Sequence, residues 1–123
     1  MSAEEWKQQQ IKKQKKNNRQ YAQYTHFDRR MGIEHCFDTV TSPQLVAKHG
    51  FYPFIHCTMT TRKVKNGQKA PAKEREIYYA AHLDGWIYRY YAFLLDQAYN
   101  RRAAADGIDS VAVAYRTDLG ECN

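Results

Sequence analysis

Long apolar runs are missing from this sequence, and so are short motifs that hold nucleotides through a glycine-rich loop. No apolar segment approaches the roughly 18 residues that a membrane-spanning helix needs, so we expect no membrane partner. The N-terminal residues carry charge without an apolar stretch, which is not the pattern of a secretory signal. Neither G-x-x-x-x-G-K-S/T nor G-x-G-x-x-G occurs, so these two phosphate-binding loops are not expected either.

Cysteine is scarce as well, with three among 123 residues. An odd number without framework spacing indicates reduced thiols and hence a cytoplasmic protein. His35-Cys36 and His56-Cys57 invite a metal interpretation. Further possible donors are His26, His49, His82 and Cys122. Adjacent strand residues point to opposite faces, and no C-x2-C or H-x3-H spacing is present, so we expect no metal site. A small thiol- or metal-dependent enzyme is therefore the weakest of three hypotheses.

Basic and aromatic residues are what the chain has in excess. Its formal net charge is +6, from 19 Lys and Arg against 13 Asp and Glu, and ten residues are tyrosine. Because phosphates attract cations and bases stack on rings, this mixture is typical of a nucleic-acid surface. A basic surface without a nucleic-acid partner is also compatible with this charge. Residues 1–25 predict a solvated basic helix or arm, with Ser2 and Glu5 as a capping box.

Residues 26–123 predict a single α+β domain. Its first part indicates short helices, one of which starts at Ser42-Pro43. The expected apolar anchors there are Phe27, Met31, Phe37, Val40, Leu45 and Val46. A strand over Phe54–Thr60 can pair with one over Arg75–Ala80, with a turn at Asn66-Gly67. The pattern therefore predicts an antiparallel β-hairpin after the short helices.

One long amphipathic helix follows the hairpin. Apolar residues recur from Leu83 at i, i+4, i+7, i+11 and i+15, which is one side of a helix. The members of that side are Leu83, Ile87, Tyr90, Leu94 and Ala98, widened by Trp86, Tyr91 and Leu95. Asp106-Gly107 is expected to end the helix, because glycine tolerates the left-handed conformation there. Val111–Tyr115 then predicts a final strand, with Arg116 at its exit.

The loop of the predicted hairpin concentrates positive charge. Arg62, Lys63, Lys65 and Lys69 occupy its two arms, and Arg75 begins the second strand. A basic tip is commonly just solvated and protects a strand edge from aggregation. The neighbouring Glu74 and Glu76 could also form ion pairs with Arg75. The same cations could instead contact nucleic-acid phosphates.

The order of these segments resembles the N-terminal fingers region of bacterial retron-type reverse transcriptases, in the branch linked to phage defence. The segments that carry it are HFDRR, KHGFYPFIH, the basic loop, KEREIYYAAHLD, IYRYYAFLL and VAVAYRTDLG. The R-x-I at Arg75, followed by an Asp and a long helix, is similar to the family's first block. The AYR ending at Arg116 is similar to the start of its second block. The resemblance runs from about His26 to the end.

The resemblance implies the fingers of an RNA-directed DNA polymerase, with RNA or an RNA/DNA hybrid and the polymerase palm as partners. The residues it assigns to template or nucleotide phosphates are Arg62, Lys63, Lys65, Arg75 and Arg116. The family's metal-binding Asp and its Tyr-x-Asp-Asp turn do not occur, so we expect no catalytic residue, and Mg²⁺ only in the complete polymerase. We therefore expect a truncated fragment that is inactive alone. The alternative is a free-standing small basic module that binds RNA or a protein.

Overall fold

The computed structural model describes residues 1–16, 25–69, 71–108 and 110–111. Within those residues the chain is mixed α+β, with four helices and four strands. The helices are α1 (Ala3–Lys16), α2 (Ile33–Thr41), α3 (Pro43–Lys48) and α4 (His82–Ala105). The strands are β1 (Ile55–Thr61), β2 (Val64–Lys65), β3 (Gln68–Lys69) and β4 (Lys73–Tyr79). The chain divides into two compact units, Met1–Trp86 and Ile87–Asn123, so the boundary falls within α4.

Helix α1 begins with the predicted capping box. The Ser2 N–H donates to Glu5 Oε2 at 2.7 Å, and the Glu5 N–H donates to the Ser2 hydroxyl at 3.2 Å. Trp6 on this helix is only 4% exposed, and its ring meets that of Trp86 edge-on with centroids 6.4 Å apart. The first turns of the basic helix therefore belong to a packed core. The boundary after residue 25 stays a prediction.

The apolar side of α2 supplies most of the core beside α1. Ile33, Cys36, Phe37 and Val40 are buried at i, i+3, i+4 and i+7. The expectation for two of the predicted anchors is wrong, because Phe27 is 87% exposed and Leu45 is 49% exposed. Phe27 precedes α2 and does not share its apolar side. Leu45 lies on α3, a six-residue helix that buries none of its residues.

Helix α3 begins as the sequence predicts. The Ser42 hydroxyl accepts a hydrogen bond from the Leu45 N–H at 3.4 Å, and Pro43 occupies the first turn, where its missing N–H leaves no unmade bond. The helix ends at Lys48, and the chain then extends toward β1. This short helix therefore sets the direction from which the hairpin is entered.

Strands β1 and β4 form the predicted antiparallel pair. Their register runs from Ile55 opposite Tyr79 to Thr61 opposite Lys73. The loop between them contains a smaller hairpin, β2–β3, that the sequence analysis treated only as a turn. Its two turn residues both have positive φ, 51° at Asn66 and 74° at Gly67, as a type I′ turn requires. We call the β1–β4 pair the ribbon, and residues 62–69 the tip.

In the second unit, α4 ends in a Schellman motif. Gly107 takes a left-handed φ of 70°, and its N–H donates to the Ala104 carbonyl at 3.2 Å. The Ile108 N–H reaches back to the Ala103 carbonyl at 3.0 Å. The predicted helix stop is thus confirmed. Of the predicted final strand Val111–Tyr115, only its first residue is described; it lies in a turn, and the rest is outside the described residues.

The buried side of α4 matches the prediction at the start of the helix and departs from it later. Trp86, Ile87 and Tyr90 are buried, as expected. Leu94 and Leu95 are 38% and 70% exposed, contrary to the prediction, and Tyr91 and Ala98 of the predicted side are exposed as well. The less exposed positions in the later turns are Phe93, Asp96, Gln97, Asn100 and Ala103. The later turns therefore shield a different side of the helix from solvent than the apolar pattern predicts. Among the described residues, no helix has the length and apolarity of a membrane span.

Candidate functional site

The ribbon separates cations from carboxylates on its two faces. Side chains alternate along a strand, and directly paired residues share a face. Lys73 and Arg75 therefore lie on one face, whereas Glu74 and Glu76 lie on the other. All four side chains are exposed. The two glutamates that flank Arg75 in the sequence consequently point away from it, and among the described residues Arg75 makes no ion pair.

The face that carries Arg75 changes along its length from exposed to half-buried. Ile77 and Tyr79 follow Arg75 on this face and are half-buried, as is Met59, the residue opposite Arg75 on β1. The hydroxyl of Tyr79 donates to the Thr25 carbonyl at 2.5 Å. The strand that presents Arg75 is therefore anchored at one end while its guanidinium faces solvent at the other.

The tip adds further exposed cations to the same end of the ribbon. Arg62 and Lys63 lie between β1 and β2, and Lys69 ends β3. None of these three side chains makes an ion pair with any carboxylate in the described part of the chain. Lys65 lies on β2 opposite Gln68. Arg116, the fifth residue assigned from the resemblance, lies outside the described residues. The structure thus brings four of the five predicted positions to one hairpin.

The segment that leads into the ribbon contacts a buried carboxylate. Asp84, in the first turn of α4, is 1% exposed. Its Oδ2 accepts a hydrogen bond from the Tyr52 N–H at 2.9 Å, and its Oδ1 lies 2.5 Å from His49 Nε2. These contacts join α4 to the segment that leads into β1. Sequence reasoning did not find them, because the partners are 32 and 35 residues away and share no local pattern.

A second polar group lies at the very start of α4. The His82 backbone N–H donates to Asp28 Oδ2 at 2.7 Å. Asp28 Oδ1 lies 3.0 Å from His82 Nδ1 and 3.5 Å from His26 Nδ1. The planes of the two imidazole rings are inclined at 30° to each other, with centroids 3.9 Å apart. We call His26, Asp28 and His82 the His–Asp–His cluster.

Two groups of the cluster, His26 and Asp28, have shifted pKa values that favour one charge state at neutral pH. Burial lowers the pKa of His26, as does the neighbouring His82, and Asp28 opposes them only in part. Burial alone raises the pKa of Asp28, but the hydrogen bond from the His82 N–H and the His82 ring bring it below its ordinary value. His26 is therefore neutral and Asp28 ionised.

From the sequence, two of these three residues are expected donors and the third is missed. His26 and His82 are expected only as additional donors around the two His-Cys pairs, and Asp28 has no predicted role. The His-x-Asp spacing at residues 26–28 was the available local signal, since residues two apart in a non-helical chain can face the same side. The contribution of His82, 54 residues from Asp28, requires the fold.

Cys36 does not offer a reactive thiol. Cys36 is 3% exposed, and its burial, together with the nearby Glu34, raises the pKa of the thiol to about 11. The adjacent His35 is exposed, so this pair points in two directions. Cys57 is a half-buried free thiol on β1. Cys122 lies outside the described residues.

Compared with models of known protein families the sequence matches none, and no curated protein is significantly similar to it. The functional assignment therefore depends on the chemistry of the ribbon and of the groups at its base.

Proposed function

We propose that the chain binds nucleic-acid phosphates through the ribbon and its tip, as the fingers of an RNA-directed DNA polymerase do. The observation that carries this proposal is the separation of charge on the ribbon. Its cations share one face and one end, where no carboxylate of the described residues pairs with them. Cations held together without internal partners are available to an external polyanion.

Arg75 and the tip cations suit two kinds of phosphate contact. A guanidinium can grip a phosphate through two parallel hydrogen bonds, and Arg75 projects from a strand whose register is fixed. Lys63 and Lys69 act as point charges on a turn whose backbone is set by Asn66 and Gly67. Such contacts release counterions from the nucleic acid and carry little base specificity. The expected binding is therefore tolerant of sequence and sensitive to salt.

The more specific assignment derives from the sequence resemblance to retron-type reverse transcriptases. Under it, Arg75 corresponds to the Arg of the first block and Arg116 to that of the second, and both contact template or incoming nucleotide. The partner is RNA or an RNA/DNA hybrid in the cytoplasm. The palm of the same polymerase supplies the carboxylates and the Mg²⁺, so this chain alone does not polymerise DNA. Coding sequence for Tyr-x-Asp-Asp after residue 123 would support this assignment.

The two faces of the ribbon provide a matched experiment. Lys73→Ala with Arg75→Ala removes the cations of one face, and Glu74→Gln with Glu76→Gln neutralises the other. We expect the first variant to weaken binding of a single-stranded RNA, measured by fluorescence anisotropy, because phosphate contacts are lost. We expect the second to leave the affinity unchanged or slightly higher. If both variants have native circular dichroism and bind RNA with the affinity of the unmodified chain, the ribbon is not part of the binding surface.

A further inference from the structure

We propose that the His–Asp–His cluster binds one divalent first-row transition-metal ion, such as Zn²⁺. His26, Asp28 and His82 each offer one ligand atom, and these three atoms all lie within 4.8 Å of one another. The unpartnered atoms of the cluster are His26 Nδ1, Asp28 Oδ1 and His82 Nδ1. Each of these three atoms is buried, although the side chains that carry them are 16–26% exposed. None of the three makes a hydrogen bond within the described part of the chain.

The arrangement brings two imidazole nitrogens to within 3.5 Å of one carboxylate oxygen. The distance from His82 Nδ1 to Asp28 Oδ1 is short enough for an ion pair, but the angles do not form a hydrogen bond. Burying a polar atom without a hydrogen-bond partner destabilises the folded state, so a ligand that bonds to these atoms would stabilise it. A single shared proton could join only two of the atoms. An ion among them would bond to all three.

The spacing of the donors suits a small transition-metal ion. Zn²⁺ binds imidazole nitrogen and carboxylate oxygen at about 2.0–2.2 Å, which places neighbouring ligand atoms of a tetrahedron about 3.3–3.5 Å apart. The observed separations from Asp28 Oδ1 are 3.0 Å to His82 Nδ1 and 3.5 Å to His26 Nδ1. Two imidazoles with one carboxylate favour Zn²⁺, Fe²⁺ or Co²⁺ over Ca²⁺ and Mg²⁺, which prefer oxygen ligands.

Contacts outside the three donor atoms also orient the ligands, as is common for metal ligands. The second oxygen of Asp28 accepts the His82 backbone N–H, which orients the carboxylate. The Tyr79 ring meets the His26 ring edge-on with centroids 5.2 Å apart. A bound ion would fasten the segment before α2 to the start of α4, so metal binding would stabilise the fold.

Three protein ligands leave a coordination position for water or a small anion. A cavity of about 140 Å³ lies beside the cluster and shares Asp28 with it. Its other lining residues are Phe27, Tyr52, Pro53, Ile55 and Ala81. This volume holds a few water molecules. The inference departs from the sequence expectation of no metal site, in which His26 and His82 were only additional donors around the His-Cys pairs and Asp28 had no role.

Metal titration of the full, tag-free, chelator-treated chain tests the proposal. We expect one Zn²⁺ per chain and a melting temperature that rises on addition of Zn²⁺. Asp28→Asn keeps an oxygen for the His82 N–H but loses the carboxylate, and it should weaken binding more than about 100-fold, since loss of even an outer partner costs about 10–100-fold. His56→Ala, which removes an exposed ribbon histidine, should bind as the unmodified chain does. Should Asp28→Asn lose its native circular dichroism, His26→Gln provides the same test.

Cobalt separates this site from a thiol site. With Co²⁺ we expect visible absorption without a thiolate charge-transfer band, unchanged when Cys36, Cys57 and Cys122 are all replaced by Ser. No stoichiometric binding, equal binding by a folded ligand variant, or a signal lost with the cysteines would each overturn the proposal.

Discussion

The two ends of the ribbon use charge in opposite ways. At the end where Ile55 pairs with Tyr79, carboxylates serve the fold: Asp28 and Asp84 each accept a backbone N–H and lie against a histidine. At the end where Thr61 pairs with Lys73, cations cluster without carboxylate partners among the described residues. Both ends belong to the first compact unit.

This difference shows that composition alone does not locate a charged surface. The formal charge of +6 is compatible with an evenly basic protein. Two carboxylates, Asp28 and Asp84, instead accept hydrogen bonds within the fold near the base of the ribbon, where Ile55 pairs with Tyr79. The exposed cations at its far end have no carboxylate partner among the described residues, so a polyanion can reach them. The account therefore predicts that changes at the base alter stability, and that changes at the tip alter binding.

Removing the buried carboxylate should have the largest effect on stability. Asp84→Ala leaves the Tyr52 N–H and the His49 ring without their partner, and we expect a loss of about 2–5 kcal/mol in the free energy of unfolding. Urea denaturation followed by circular dichroism measures it. Asp38→Ala, an exposed carboxylate on α2, is the control and should change stability by no more than about 0.5 kcal/mol. Equal losses in the two variants would contradict the structural role of Asp84.

A substitution in the turn at the tip should lower the free energy of unfolding by less than Asp84→Ala does, because only backbone strain is added. Gly67→Ala places a Cβ at φ 74°, which costs about 1–2 kcal/mol for an L-residue, although no atom lies within 4 Å of that Cβ. Gly50→Ala also meets open space but at an ordinary φ, so it should be neutral or stabilise by about 0.4–1 kcal/mol. Denaturation midpoints of the two variants should therefore move in opposite directions. A Gly67→Ala variant as stable as Gly50→Ala would argue against the type I′ turn.

Arg75→Lys should change stability least of all. The side chain is exposed and makes no ion pair among the described residues, so we expect a change within about 0.5 kcal/mol. In a complete polymerase the same substitution should lower polymerisation, because an ammonium cannot reproduce a bidentate phosphate contact. Polymerisation and unfolding are measured on the same variant. If activity falls only in step with the folded fraction, Arg75 is structural.

The elements whose signals are local were predictable from the sequence. The capping box at Ser2, the start of α3 at Ser42 and the helix stop at Gly107 each depend on a few adjacent residues, and all three are confirmed. The pairing of β1 with β4 follows from strand patterns around a clear turn. The fingers assignment, by contrast, stays a prediction.

What the sequence did not predict depends on contacts between distant residues. The hydrogen bonds of Asp84 and of Asp28 join residues that are 32–54 positions apart in the sequence, and no spacing rule connects such partners. The later turns of α4 were misassigned because an apolar residue such as Leu95 signals burial only when another element covers it, and it is 70% exposed.

The salt dependence of RNA binding tests the central claim most directly. Replacing Arg62, Lys63 and Lys65 with Ala removes three tip cations, and the control removes Lys12, Lys13 and Lys16 from the exposed side of α1. For single-stranded RNA, log K falls against log salt by about 0.7 per phosphate contact, so the tip variant should lose about 2 from the slope. The account predicts that loss, with a nearly unchanged slope in the control. An unchanged slope in the tip variant and a reduced slope in the control would contradict it and assign the binding surface to α1.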